Sequence, residues 1–304
     1  MNLPVDSRIS PRRKVALSSF CTMQVGGNAE YFCTPQTEED LQESIHFANA
    51  NGLRVFILGK GSNVIFPDTG FPGLVISMIR FGEQDLRFDS THSTVSASAG
   101  VYLYKLALAC EKNRLGGVEF LASIPGTVGG AIMMNAGFSR HPGQKNEIGD
   151  LVKSVDLLDE NGVRRQLDRA DINFEYRNSN LNKMIVLGAT FQLWKRRAEE
   201  IRRELQANFE YRNAKQDLTK PSSGSIFKNP DAPHPPAGRL IEQLGLKGTK
   251  VGGAMLSERH ANYIINLGNA SAADVIQLIF KIQKAVFNAT QILLEPEVRI
   301  VNAS

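Results

Sequence analysis

The sequence predicts an α+β fold of two or three compact lobes, and three observations carry that expectation. The chain has 304 residues, enough for more than one hydrophobic core. Short apolar or alternating runs, with helical patterns between them, recur as far as Leu193. At Trp194 to Arg197 the strands give way to a charged helix. Hydrophobic content of 42% with 22% charged residues is that of an ordinary soluble globular protein. The net charge of +4 is spread along the chain and selects no partner. The densest basic cluster, Lys195, Arg196, Arg197, Arg202 and Arg203, alternates with Glu199, Glu200 and Glu204, which reads as a solvated helix face and not a nucleic-acid patch.

Residues 1–19 read as a loosely held lead-in, and Gly26-Gly27 then sits between strand-like flanks. Thr37 is a good N-cap, Glu38, Glu39 and Asp40 fill a first turn, and Leu41, Ile45 and Ala48 share a face, so a helix runs on to Gly52. Residues 54–58 make a short buried strand, 64–66 a second, and 67–70 a turn. Residues 74–78 and 94–99 are strands, the latter alternating Val95, Ala97 and Ala99 against serines. A helix over 102–113 is broken by Gly116-Gly117. Residues 138–150 are polar, irregular and exposed; 151–158 and 163–167 form a hairpin across a turn at 159–162; 184–193 is a long apolar strand. The charged helix extends to about Ala214. After it come a helix at 237–244, a strand at 262–266, a helix at 271–288 capped by Ser271 with Asp274, and a closing strand at 292–301.

The chain is organised around residues 123–137, Ser-Ile-Pro-Gly-Thr-Val-Gly-Gly-Ala-Ile-Met-Met-Asn-Ala-Gly, which contain no charge. Gly126, Gly129, Gly130 and Gly137 permit close backbone approach or positive φ, and their amides can form a phosphate-binding nest. A buried glycine-rich turn between domains explains the run equally well. A second glycine loop, Gly59-Lys-Gly-Ser-Asn63, follows the strand at 54–58 directly. It is no Walker A motif, because Arg54 stands where the first glycine belongs, and no GxGxxG, because Val64 stands at the last. Strand, glycine loop, strand suits a pyrophosphate, or a plain hairpin-like turn.

Three polar residues stand out. Arg177 follows Phe174 and Tyr176 and is able to fork onto a carboxylate or phosphate, or to pack on Tyr176 as a surface arginine. Ser225 lies between Gly224 and Ile226, with no histidine or acid close in sequence to make it a nucleophile; alone it is a turn serine. Glu297 lies in an apolar run beside Pro296, with Glu295 on the same strand face. Desolvation favours the neutral form of such a glutamate, as a proton donor needs, while a structural ion pair is the alternative. Cys21, Cys33 and Cys110 form no CxxC pair and fit a reducing cytoplasm, and the scattered histidines suggest no metal site. No signal peptide or membrane-length apolar run is evident.

Eight segments occur in an order that points to one family. They are Thr22-Met-Gln-Val-Gly-Gly-Asn-Ala29, Gly59-Lys-Gly-Ser-Asn63, Ile124-Pro-Gly-Thr-Val-Gly-Gly-Ala131 with Met134-Asn-Ala-Gly137, and Tyr176-Arg-Asn-Ser179. Gly224-Ser-Ile-Phe-Lys-Asn-Pro230, Ala237-Gly-Arg-Leu-Ile-Glu242, Arg259-His-Ala-Asn262 and Leu294-Glu-Pro-Glu-Val298 complete the set. From about residue 15 onward the chain closely resembles the UDP-N-acetylenolpyruvoylglucosamine reductase (UDP-N-acetylmuramate dehydrogenase, MurB) family, bacterial flavoenzymes of cell-wall precursor synthesis. The resemblance implies a two-lobed FAD-binding domain of the vanillyl-alcohol-oxidase (PCMH) type, lobes 1–80 and 81–195, followed by a smaller α+β substrate-binding domain, 196–304. It assigns to non-covalently bound FAD the residues Gly59, Lys60, Gly61, Ser62, Asn63, Pro125, Gly126, Thr127, Gly129, Gly130, Asn135 and Gly137.

The resemblance also makes Arg177, Ser225 and Glu297 the catalytic set, with Lys215, Lys228 and Asn229 contacting substrate. Hydride would pass from NADPH, by way of FAD, to the methylene carbon of UDP-N-acetylglucosamine enolpyruvate. Arg177 and Glu297 would stabilise the enolate-like state, and Ser225, with Lys228 as a positive neighbour, would protonate the adjacent carbon. A cytoplasmic bacterial monomer without nucleic-acid or membrane partners is implied. The runner-up readings are a flavin oxidase of the same superfamily, often with FAD tethered to a histidine or cysteine, and a non-catalytic flavin carrier. Gly59 to Asn63 has no such residue near it in sequence. Only residues 178–185 lie between Arg177 and Val186, too few for the tyrosine-bearing loop that divides the family, so the chain resembles its shorter type. Two departures from the family pattern stand out: the segment after Gly137 is longer and more basic than usual, and Asn302 follows Val301 where a glycine is usual.

Overall fold

The computed structural model describes residues 10–141, 144–159 and 162–302. The chain divides into two compact units. Among the described residues the first holds 10–12, 32–60 and 73–212, and the second holds 13–31, 61–72 and 213–302.

In the first unit, helix α1 (Glu38–Ala50) begins with a reciprocal cap. Thr37 Oγ1 accepts from Asp40 N at 3.2 Å while the Asp40 carboxylate accepts from Thr37 N at 3.2 Å. Such a cap contributes about 1 kcal/mol. Strand Arg54–Leu58 pairs in parallel with the strand Phe71–Ser77, Arg54 opposite Gly73 and Leu58 opposite Ser77. Helix α2 (Leu103–Lys112) buries Leu103, Leu106, Ala107 and Cys110. A five-stranded antiparallel sheet runs in the order Arg164–Asp168, Val152–Leu158, Ile185–Gln192, Thr94–Ser98, Leu86–Asp89. The alternation read in 94–99 sends Val95 and Ala97 into the core. Helix α3 (Val128–Met133) lies inside the glycine-rich stretch, and α4 (Ala198–Lys215) follows the sheet. Near its start Arg196 bonds the buried Glu119 at 2.8 Å and Glu204 at 2.7 Å.

The second unit is built on helix α5 (Ala237–Gln243), helix α6 (Ala272–Thr290) and a four-stranded antiparallel sheet ordered Ser222–Ser225, Tyr263–Asn266, Ala254–Leu256, Lys250–Val251. Val275, Leu278, Ile279, Ile282 and Val286 form the buried stripe of α6. Met23, Val25 and Ile65 belong to the same core, which explains why two early stretches of chain fold with the C-terminal part. Fully burying a side chain of this size contributes about 1.5–3 kcal/mol. Ser271 caps α6 in a second reciprocal box with Asp274, and the Asp68 carboxylate takes the amides of Ala272 and Ala273 at 2.8 and 2.9 Å.

The structure corrects several sequence expectations. Of the lead-in, residues 1–9 lie outside the described residues, but Arg12–Ala16 is a strand and Leu17, fully buried, donates its amide to Gly27 O at 3.0 Å. The stretch 123–137 is not all loop, because α3 docks by donating Val128 N to Val101 O and Gly129 N to Ala99 O, both at 2.9 Å. Those two amides are spent inside the protein and are unavailable to a phosphate nest. Residues 115–116 pair with Trp194–Lys195 instead of only breaking a helix. Of 138–150, residues 142–143 lie outside the description, and Ile148 is buried, not exposed. The hairpin of 152–158 with 164–168 is present, its turn residues 160–161 again lying outside. In the closing stretch only Arg299–Ile300 is strand, parallel to Val64–Ile65. Pro296 has no N–H for a ladder, so its neighbourhood makes an isolated bridge with Phe227.

Candidate active site

In the first unit Gly59 and Gly130 lie beside the hydroxyl of Thr127. Strand Arg54–Leu58 delivers Gly59, whose missing Cβ would lie 3.0 Å from Thr127 Oγ1 and 3.8 Å from Gly130 Cα. Thr127 is 1% exposed, and its Oγ1 has no hydrogen-bond partner among the described residues. A buried hydroxyl left unpaired costs about 1–3 kcal/mol, so a polar group from a ligand is the expected compensation. Gly129 packs as tightly on the other side, where an added Cβ would lie 2.9 Å from Ala99 Cβ. Pro125 is exposed, and Gly126 O accepts from Leu103 N at 3.1 Å. Lys60 is exposed, with Nζ 5.2 Å from the Tyr102 ring centroid. None of Gly126, Gly129, Gly130 and Gly137 has positive φ; in that stretch only Asn135 does, at 40°. Gly129 and Gly137 serve close packing, not left-handed turns.

Asn135 is a junction. Its Nδ2 donates to Glu147 Oε2 at 2.9 Å and to Glu175 O at 3.0 Å, and its Oδ1 accepts from Gly149 N at 3.0 Å. With its amide protons committed inside the protein, its side chain braces the segment and does not reach outward. The bond to Glu175 O holds a two-residue hairpin, Phe174–Glu175 against Asn178–Ser179. Arg177 stands at its tip with φ 58°, its guanidinium 4.9 Å from the Tyr176 ring centroid and its Nη2 donating to Gly137 O at 3.0 Å. Arg177 is thus both packed on Tyr176 and joined to the end of the glycine-rich stretch.

The second unit gathers the other predicted residues. Gly61 has φ 67°, and a Cβ there would collide with the Phe20 carbonyl, so only glycine fits. Gly61 O accepts from Thr22 N at 3.0 Å, and Thr22 Oγ1 donates to Ser222 O at 2.7 Å. Ser62 is half-buried. Asn63 Nδ2 donates to Glu297 O at 3.0 Å while Asn63 O accepts from Arg299 N at 3.0 Å. Glu297 N donates to Ile226 O at 2.7 Å, one residue beyond Ser225. Ser225 and Glu297, both half-buried, are therefore carried on neighbouring backbones fastened to the glycine loop.

Lys228 is tied to Glu295 twice, N to O at 2.9 Å and Nζ to Oε1 at 2.5 Å, so its charge is shared with a carboxylate. Asn229 Oδ1 accepts from Ala237 N at 3.1 Å, at the start of α5. Lys215 is exposed at the end of α4, where Arg259 Nη2 donates to Asn213 O at 2.8 Å. Asn262 and Thr22 braced this region without being singled out as site residues by the sequence. The signal for Asn262 was a polar residue opening an apolar strand.

The residues present fit FAD, the orphaned Thr127 hydroxyl beside Gly59 and Gly130 being the observation that carries the fit. One expectation needs correction. Cys21, remote in sequence from the glycine loop, has its Cα 2.9 Å from where a Cβ on Gly61 would stand. Burial pushes its thiol up to about 12, which disfavours the reactive thiolate. Among the described residues no group of His, Cys, Asp or Glu is placed to hold a metal, and no helix is long and apolar enough to cross a membrane.

Comparison with known proteins gives the family. The FAD binding domain family matches residues 29–168, and the C-terminal domain of UDP-N-acetylenolpyruvoylglucosamine reductase matches residues 216–301. The UDP-N-acetylenolpyruvoylglucosamine reductase of Synechococcus sp. (strain JA-3-3Ab) is 41% identical over 95% of this chain and 90% of its own. That of Moorella thermoacetica is 40% identical over 93% and 91%. The crystal structure of the Thermus caldophilus enzyme superposes with a TM-score of 0.80 at 32% identity, covering 97% of this chain and 99% of that one. The matched domains and relatives define an FAD-dependent oxidoreductase of mixed helix and strand content. The chain belongs to the UDP-N-acetylenolpyruvoylglucosamine reductase family.

Proposed function

We propose that Arg177, Ser225 and Glu297 carry the NADPH-dependent reduction of UDP-N-acetylglucosamine enolpyruvate to UDP-N-acetylmuramate, a step of peptidoglycan precursor synthesis. The observation that supports this most is the run of bonds Asn63–Glu297–Ile226, which carries a loop of flavin-binding sequence, Glu297 and Ser225 on one scaffold. FAD, when bound, supplies the two-electron chemistry that moves hydride from NADPH to the methylene carbon of the enolpyruvyl ether. Gly59, Lys60, Gly61, Ser62, Asn63, Pro125, Gly126, Thr127, Gly129, Gly130 and Gly137 would hold it without a covalent link, Thr127 Oγ1 by a hydrogen bond. Asn135 contributes by bracing that segment.

Addition of hydride leaves an electron pair on the carbon bearing the carboxylate. Arg177 meets the charge that spreads onto the carboxylate, its fork suited to two oxygens. Glu297 hydrogen-bonds the same state when protonated. Ser225 gives its hydroxyl proton to the carbon, which completes a saturated lactyl ether. A serine is a weak acid, so this step needs the strongly basic carbon that hydride addition creates. Lys215, Lys228 and Asn229 would contact the nucleotide sugar; for Lys228 that means leaving Glu295.

The division into 1–80, 81–195 and 196–304, a monomeric state, a cytoplasmic bacterial setting and independence of nucleic acid and membrane belong to the same proposal. The test is the visible spectrum of the FAD-loaded protein without oxygen. Bleaching by NADPH and recovery on adding UDP-N-acetylglucosamine enolpyruvate is the expected result. Recovery by oxygen alone would instead indicate an oxidase.

A further inference from the structure

Asn262 opens the strand Tyr263–Asn266 and is 4% exposed. Its side chain behaves as an extra peptide unit. Oδ1 accepts from Phe227 N at 3.0 Å, Nδ2 donates to Phe227 O at 2.8 Å, and its main-chain O accepts from Ile226 N at 2.9 Å. The opposite edge of the same segment is held by Glu297 N on Ile226 O at 2.7 Å and by Lys228 N on Glu295 O at 2.9 Å. Every backbone polar group of Ile226 and Phe227 is therefore paired, one edge to Asn262 and the other to residues 295–297. Behind Asn262, its own N–H donates to Nδ1 of His260 at 3.2 Å, which fixes the His260 proton on Nε2 while the ring is neutral.

We propose that Asn262 is the positioning residue that sets Ser225 against Glu297. The segment it grips begins one residue after Ser225 and bonds directly to Glu297, and the Asn262 side chain holds both backbone polar groups of Phe227. A two-bond amide clamp is not interchangeable with a carboxylate. In Asn262→Asp one oxygen keeps the Phe227 N–H, but the other faces the Phe227 carbonyl, acceptor against acceptor. The strap then shifts, and with it the distance over which Ser225 must pass a proton. Misplacement of about 1 Å costs on the order of 10²-fold in such a step. This inference rests on the catalytic reading of Ser225 proposed above.

The experiment compares two half-reactions by rapid mixing without oxygen, using the FAD-loaded protein. Asn262→Asp is expected to be bleached by NADPH within about twofold of the parent rate, and to be reoxidised by the enolpyruvyl substrate about 10²-fold more slowly. Substrate dissociation constants should change less than about threefold, so the loss falls on the rate and not on binding. If Asn262→Asp does not fold with flavin, Asn262→Ser is read by the same thresholds. Ser225→Ala and the double variant are measured alongside. A double variant no slower than Ser225→Ala alone shows that Asn262 acts through Ser225. Unchanged reoxidation in Asn262→Asp while Ser225→Ala collapses overturns the positioning role alone. Equal losses in both half-reactions of Asn262→Asp, following the loss of Tm, overturn it in favour of a purely structural one. Undiminished reoxidation in Ser225→Ala overturns the catalytic reading itself.

Discussion

Arg177 and the pair Ser225 with Glu297, the three residues proposed to be catalytic, stand on differently built supports. Arg177 stands on a two-residue hairpin tip in a left-handed backbone, bonded to Gly137 O with the exposed Tyr176 ring beside it. Ser225 and Glu297 sit on a strap whose backbone bonds run to Asn63, Asn262 and one another. In the proposed reaction the first support would let a charged fork adjust to a carboxylate, and the second would fix a proton path. The difference separates a group that acts through charge, which tolerates small displacements, from one that acts through proton transfer, which does not.

The largest effects should fall on chemistry. Arg177→Lys keeps the charge and loses the fork, and reoxidation by substrate should fall by about 10²–10³-fold with Tm nearly unchanged, measured by rapid mixing and by thermal unfolding. A large fall in Tm would mean that the hairpin is a structural keystone and the contrast with the strap is false. Glu297→Gln should slow the same half-reaction by about 10²-fold and leave reduction by NADPH intact. Next in size is Gly129→Ala. The added methyl meets Ala99 Cβ at 2.9 Å, and the overpacking should destabilise the protein by about 1–3 kcal/mol in denaturant titration.

Smaller effects probe the strap. Burial, and then the charge of Lys247, holds His260 below its ordinary value of 6.5. The unfolded chain therefore binds a proton more readily than the folded one, and the stability His260 contributes is present above pH 6.5 and lost as pH falls below it. Replacing His260 with Gln should flatten that acid-side decline in a series of unfolding titrations. Lys228→Met should cost least, at most about 1 kcal/mol, because Glu295 in its ion pair is 68% exposed.

Much of this was legible in sequence where the cause is local. The caps at Thr37 and Ser271 are written in residues three apart, and both helices begin where those residues stand. The order of short motifs carried the family. What escaped is what distant partners decide. Residues 292–301 look like one strand, yet only Arg299–Ile300 pairs as one, because the neighbours of the rest are the backbone at 226–228. Helix α3 was hidden by its glycines, which disfavour helix in isolation and are stabilised here by docking on residues 99–101. The closeness of Cys21 to Gly61, the left-handed backbone of Arg177 and the clamp of Asn262 all depend on contacts far along the chain.

The central claim, that Ser225 supplies the proton, is tested most directly by mixing NADPH-reduced Ser225→Ala with UDP-N-acetylglucosamine enolpyruvate in the absence of oxygen. Reduction at the parent rate followed by reoxidation slowed at least about 10²-fold is the predicted result. Reoxidation at the parent rate would remove Ser225 from the chemistry.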